Sequence, residues 1–513
     1  MKNDSSQIER PTRPVAENVR AENRLMFVDY LLLICASFIG PLSQMAPNYW
    51  QLVHPERAFL LGFLIAGLAC GAAYLIAGRT RRRMRPVFPV LVAVLVLTKG
   101  GRLLLQYPAV LGWFLAGLAI VVAWYLGNRL SEGVLQVVSV VAVVTLGSGL
   151  IVDWYRTSSE MGPSQVVRQD LIGADLTERP DIYLVVLDGY MGLQGQQGVF
   201  GESKGDVVSQ LEDLGFHVPR SAWSGYSTTE RSIPSIFEMG YPVGSEEPNE
   251  GTSRDLHRMI AGWNNTIDVL RSNGYHSTMI ESGWVGSGCS SAYDSCVQSH
   301  WLDSLMFSIA WDSLANKSVA TAYGHPFTVN SLHTMSSVED LQAQYRDNNR
   351  PDFVFAHVLA PHPPFYLDAQ CQVVASDSRF DLSFAEEAVV PARDDLFAEQ
   401  AACVDEFMLD LASTAGEGDV VILTADHGMR RHHEPEPSGR PSDETLLELM
   451  NVFVAVRANP GCGLTDPMVT PDLMRQIFSC YAAEPLDPVP QRMFVDGGYE
   501  LSRAEITELT ASG

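Results

Sequence analysis

Residues 179–190, RPDIYLVVLDGY, contain the first stretch of the chain that can only be read one way in its backbone. Ile182 to Leu187 is a near-continuous apolar run of strand length, rich in β-branched and aromatic residues, which predicts a strand buried on both faces of a largely parallel sheet. Asp188 ends the run and Gly189 follows at once. Open α/β sheets place ligands outside the carboxyl ends of their strands, and glycine lets backbone approach closely. A helix cap or turn uses the same residue types, so other stretches must decide.

Three do. Asp419 to Thr424 (DVVILT) is a second buried strand, followed by ADHGMRRHHE, in which Asp426, His427, His432 and His433 place four potential ligands in one loop. Asp352 to Val358 (DFVFAHV) is a third, followed by a loop that holds His362 among Pro361, Pro363 and Pro364. His357, mid-strand and flanked by apolar residues, reads as a satisfied core histidine or one that supports a ligand. Ser221 to Tyr241 (SAWSGYSTTERSIPSIFEMGY) sets Ser and Thr just before an apolar-periodic segment. That pattern puts Thr228 or Thr229 at a helix N-terminus, where backbone N–H groups and the dipole favour an anion and where Thr is also an ordinary cap.

Around these stretches strands and helices alternate. Helices are expected over Asp206 to Leu214, Asn265 to Ser272 and about Leu396 to Ser413, a strand over His276 to Ile280, and another at VFVAV after Asn451. Alternation of this kind predicts a mostly parallel sheet flanked by helices.

The first third of the chain is different in kind. Apolar runs at about Met26 to Met45, Ala58 to Gly78, Pro86 to Leu105, Pro108 to Gly127 and Gly133 to Val152 are each near the roughly 20 residues that cross about 30 Å of hydrocarbon. Lys99 and Arg102 interrupt the third, which makes four spans the alternative to five. The basic tail and the Arg79 to Arg85 loop place the amino terminus in the cytoplasm, and five spans then put the rest outside. The division is a cytoplasmic tail (1–25), transmembrane helices (26–153), a linker (154–178) and an extracytoplasmic domain (179–513), in a multi-pass protein of the inner cell membrane.

Charge follows the same division. Residues 1–156 carry 15 Lys and Arg against 8 Asp and Glu and the remainder 20 against 52, formal charges of +7 and −32 within the total of −25. So acidic a domain argues against nucleic acid as a partner. Cys289, Cys296, Cys371, Cys403, Cys462 and Cys480 all lie in it, without a C-x-x-C pair. An even set suits disulfides in an oxidising compartment, with pairing in sequence order the simplest expectation.

Together the four stretches resemble the alkaline phosphatase and sulfatase superfamily, in particular its membrane-anchored branch of lipoteichoic acid synthases and lipid A phosphoethanolamine transferases. The resemblance covers about residues 179–455 and implies an alkaline-phosphatase-like domain behind the helical membrane bundle. Residue by residue it implies Asp188, Asp426, His427 and Thr229 as metal ligands, Thr229 as the nucleophile, and His362 with His432 or His433 as catalytic histidines. His357, Tyr226 and Arg231 are carried with them as candidate substrate contacts. No C/S-x-P-x-R motif occurs, which disfavours sulfate ester hydrolysis.

The residue chemistry stands without the family. A threonine hydroxyl needs a cation on its oxygen or an adjacent base to attack phosphorus at neutral pH. Two carboxylates and an imidazole supply mixed O and N ligation, which suits Zn²⁺ or Mn²⁺ better than Ca²⁺. Three functions fit: transfer of a phosphoglycerol- or phosphoethanolamine-type headgroup from a phospholipid to an envelope glycan or lipid through a phosphothreonine; hydrolysis by the same core, as a phosphodiesterase or sulfuric ester hydrolase; and a non-catalytic envelope protein.

Overall fold

The protein is described from a computed structural model over residues 30–39, 55–80, 84–98, 109–159, 174–201, 205–244, 250–284, 288–299, 326–345, 350–374, 376, 390–429, 440–495 and 498–512. The tail, the middle of the linker, and His432 with His433 lie outside the described residues. Two compact units divide the chain close to Arg156.

In the carboxyl-terminal unit the described strands are β1 (Ile182–Leu187), β2 (Ala222–Trp223), β3 (His276–Ile280), β4 (Ser295–Val297), β5 (Asp352–Val358), β6 (Val420–Ala425), β7 (Val454–Arg457), β8 (Met468–Val469), β9 (Met493–Val495) and β10 (Tyr499–Leu501). Six form one sheet in the order β4-β3-β5-β1-β6-β7. Every pairing in it is parallel except that of β6 with β7. The central sheet is thus mostly parallel, as expected. β1, β5 and β6 are buried along their whole length, which is why they read as apolar runs and not as alternating strands. Each fully buried Leu, Val or Phe among them contributes about 1.5–3 kcal/mol of transfer free energy.

Register is what makes a site possible. Leu187 at the end of β1 pairs with Val358 of β5 on one side and Ala425 of β6 on the other. The residues that follow all three strands therefore emerge together at one edge of the sheet.

The expected helices are present at Gly205–Asp213, Asn265–Ser272 and Val390–Thr414. The last begins ahead of Leu396 because Ala392 to Asp395 continue it. VFVAV holds β7, whose antiparallel pairing was not readable from composition. Three disulfides join Cys289 to Cys296, Cys371 to Cys403 and Cys462 to Cys480.

The amino-terminal unit is helical over 30–39, Pro55–Thr80, Met84–Thr98, Ala109–Arg129 and most of Glu132–Ser159. The Met84–Thr98 helix covers the first part of the third predicted run, whose remainder to Leu105 is outside the described residues. Glu132–Ser159 runs on past Val152 into the predicted linker. Inside this unit Leu33, Ala36, Ala73 and Leu135 are buried together, while Phe63, Leu68, Leu75, Phe114 and Val137 point outward, Leu68 with 76% of its surface exposed. Among the described residues no helix is long and apolar enough to cross a membrane.

Candidate functional site

Asp188 follows β1, Asp426 and His427 follow β6, and Thr229 opens the Thr229–Glu238 helix. Ligand atoms of Asp188, Asp426 and His427 lie within 4.8 Å of one another, and all three residues are buried. His427 Nε2 is 3.6 Å from Asp188 Oδ1, 3.6 Å from Asp426 Oδ2 and 3.2 Å from Thr229 Oγ1. A tetrahedral site with bonds of about 2.1 Å spaces its donors roughly 3.4 Å apart, so the donor set has the dimensions of a cation site.

Each donor is aimed by a neighbour. Asp426 Oδ1 accepts the backbone N–H groups of Gly189 (3.1 Å) and His427 (2.9 Å). Oδ2 is left buried with no hydrogen-bond partner, as is Asp188 Oδ1. His427 Nδ1 lies 2.7 Å from the Gly428 carbonyl. A carbonyl only accepts, so Nδ1 carries the proton and the neutral ring turns the Nε2 lone pair toward the carboxylates. Gly428 is required here because a Cβ would stand 1.9 Å from the Glu448 carbonyl oxygen. Two orphaned carboxylate oxygens and one imidazole lone pair, buried and converging, are the chemistry of a divalent cation's ligands and fit no internal hydrogen-bond scheme.

Thr229 is singled out from the other hydroxyls by geometry. Ser232 Oγ is committed to the Tyr226 carbonyl at 2.7 Å. Thr228 is the N-cap, but its side chain makes no capping hydrogen bond. Thr229 alone of these three has its hydroxyl on a residue of the donor cluster.

The histidines divide. His357 is fully buried with Nε2 3.5 Å from Asp188 Oδ2 and its ring edge-on to Trp284. This is the place expected of a core histidine that supports a ligand. His362 donates Nδ1–H to the Pro363 carbonyl (2.6 Å), and its ring centre is 6.2 Å from that of His427. Burial pushes the Asp188 carboxyl up, but the charge of His362 and the hydrogen bond and charge of His357 outweigh it and hold the group down at about 2. Asp188 is therefore a carboxylate at any working pH.

Tyr226 is held by packing. It is wholly buried, its hydroxyl donates to the Val243 carbonyl at 2.5 Å, and its ring stacks on Phe494. Arg231 is buried on the first turn of the Thr229–Glu238 helix. Trp284, edge-on to both His257 and His357, carried no signal in the sequence, since an isolated Trp in a polar loop has no periodicity to betray it.

Residues 218–448 match the family model for sulfatases. This segment is a sulfatase-family domain. It contains Thr229, His362, Asp426 and His427, and Asp188 joins them from outside the matched span through β1. No curated protein sequence matches the chain. Among solved structures the chain is similar to the integral membrane lipooligosaccharide phosphoethanolamine transferase EptA of Neisseria meningitidis, at 13% identity over 88% of this chain and 94% of that one, TM-score 0.42. It is similar to the periplasmic domain of EptC from Escherichia coli in complex with zinc, at 11% identity over 62% and 90%, TM-score 0.40. It is also similar to the phosphonate monoester hydrolase of Agrobacterium radiobacter, at 14% identity over 57% and 72%, TM-score 0.36.

Proposed function

We propose that the sulfatase-family domain is a metal-dependent phosphotransferase that moves a phosphorylated headgroup from a phospholipid to an envelope glycan or lipid. The observation that carries this reading is Thr229 Oγ1 at 3.2 Å from His427 Nε2, beside two buried carboxylate oxygens that have no hydrogen-bond partner. Asp188, Asp426, His427 and Thr229 would hold a Zn²⁺ or Mn²⁺ ion. Such an ion, when bound, lowers the pKa of the threonine hydroxyl and neutralises charge on the phosphoryl oxygens.

The chain's own residues do the rest. Thr229 Oγ forms a bond to phosphorus as its proton passes to water, and the bond from phosphorus to the diacylglycerol oxygen breaks. The departing oxygen takes a proton from His432 or His433. His362 faces the phosphoryl group, and the N-terminal N–H groups of the Thr229–Glu238 helix favour its negative charge. An acceptor hydroxyl then displaces Thr229 from phosphorus and restores the free hydroxyl.

The N-terminal helices bring this site to a lipid donor. Support comes from the five apolar runs, from basic residues concentrated in the tail and the Arg79 to Arg85 loop, and from large apolar side chains turned outward along the described helices. A reporter enzyme fused after Gly513 is expected to be active only outside the cytoplasm. Cytoplasmic activity would mean an even number of spans and remove the proposed location.

The reaction is tested with the full-length protein in vesicles of defined phospholipids. One donor should yield diacylglycerol, a chelator should stop its release, and added Zn²⁺ or Mn²⁺ should restore it. Release of free headgroup phosphate with an acceptor present would make the protein a hydrolase. No diacylglycerol from any phospholipid would reject the lipid donor.

A further inference from the structure

Around His362, Pro361, Pro363 and Pro364 have no N–H to donate. The loop's own backbone bonds lie beyond them, from the Tyr366 N–H to the Pro364 carbonyl at 3.2 Å and from the Val374 N–H to the Tyr366 carbonyl at 2.7 Å. One face of the Val390–Thr414 helix adds side-chain contacts to it. Gln400, 2% exposed, accepts at Oε1 from the N–H groups of Tyr366 and Leu367, both at 3.1 Å, and donates from Nε2 to the His362 carbonyl at 3.0 Å. One turn before it Phe397 meets Phe365 edge-on, and three residues after it Cys403 is joined to Cys371. Positions 397, 400 and 403 share a helix face, and each touches the same loop at a successive point.

We infer that Gln400 is a positioning residue for His362: its side-chain amide fixes the loop so that the imidazole stands over the metal-ligand cluster. This rests on the proposed function for what His362 does, but not for where it is held. A buried amide with three hydrogen bonds to backbone on both sides of Pro363 and Pro364 does more than fill space, because an apolar side chain of the same size would leave the Leu367 N–H and the His362 carbonyl without these bonds. The ring it steadies lies against Gly189, whose added Cβ would be 3.7 Å from the His362 ring, and Gly189 directly follows Asp188. The clamp therefore sets the separation between His362 and the metal-ligand carboxylate.

The test uses Gln400→Met, which keeps the length and removes all three hydrogen bonds, and Gln400→Glu, which keeps the two acceptor bonds and loses the donor to His362. Full-length protein is treated with diethylpyrocarbonate, and the rate of His362 modification is read from the mass of its peptide. Modification is expected to change at least five-fold in Gln400→Met and by less in Gln400→Glu, with metal content unchanged in both. In the transfer assay kcat should fall at least ten-fold in Gln400→Met while KM stays within about two-fold, and Gln400→Glu should recover part of the loss. If Gln400→Met does not fold, the Gln400→Glu modification rate decides alone. His362 modification within two-fold of the parent in the folded variants would overturn the assignment. Modification needs no substrate, so a parent protein that transfers no headgroup counts against the proposed function and leaves the clamp to be judged on this rate.

Discussion

Asp426→Asn should abolish stoichiometric metal binding and leave the domain folded. Both halves of this expectation come from the split between the two carboxylate oxygens. Oδ1 accepts two backbone N–H groups, from Gly189 and His427, whereas Oδ2 is buried toward the cluster with no partner. An asparagine keeps the backbone bonds only by placing its amide oxygen at Oδ1, which points its NH₂ group into the cluster as a donor. The flipped amide would ligate through oxygen but would set NH₂ against two N–H groups, forfeiting two buried hydrogen bonds at about 1–3 kcal/mol each. Either way one of the two carboxylates is gone, and an amide that faces the site with protons cannot take its place. Elemental analysis after gel filtration should find metal in the parent protein and none in the variant. Metal-free variant and metal-free parent should melt within a few degrees of each other, because an asparagine with its amide oxygen at Oδ1 keeps both backbone hydrogen bonds. Full metal occupancy in Asp426→Asn would show that the ligand set lies elsewhere.

That outcome also bears on how much of the site could be read without coordinates. Asp188, Asp426 and His427 stood out because each terminates an apolar run, and a chain that buries strands on both faces has to place its first polar residue at the sheet's edge. The alternation of elements was legible for the same reason. What patterning could not supply was register: nothing in IYLVVL or VVILTA says that Leu187 and Ala425 are side by side, and that pairing is what turns two separate acids into one donor set. His357 was legible as a core residue but not as the neighbour of Asp188. The packing of Tyr226 on Phe494, distant in sequence, could not be read from the Ser-Thr segment around it. Gln400 was invisible, since a glutamine in an amphipathic helix has the periodicity of a solvent-facing residue whatever it bonds.

Thr229→Ala should lose essentially all turnover and form no covalent intermediate. Four hydroxyls crowd this segment, and spacing alone could not rank Ser227, Thr228, Thr229 and Ser232. Geometry does for three of them: Ser232 is tied to the Tyr226 carbonyl, Thr228 is the N-cap, and Thr229 reaches the Nε2 atom of His427. As the first residue of a ten-residue helix, Thr229 presents its hydroxyl at the positive end of the helix, so a phosphoryl group attacked by Oγ is already in the field of the helix end. Removing a nucleophile removes the covalent route, and losses on the order of 10⁵-fold are usual when no other group can substitute. Thr229→Ser, which keeps the oxygen and loses only the methyl, should retain measurable transfer. Incubating the intact protein with phospholipid carrying a labelled headgroup, quenching in acid and weighing the peptide that spans Ser221 to Tyr241 reads the result directly. A headgroup-phosphate adduct on Thr229 in the parent, absent in Thr229→Ala, is the expected result. An adduct on Thr228 would move the nucleophile by one residue and make the 3.2 Å contact with His427 a resting-state hydrogen bond, and headgroup release that persists undiminished in Thr229→Ala would sink the phosphothreonine mechanism.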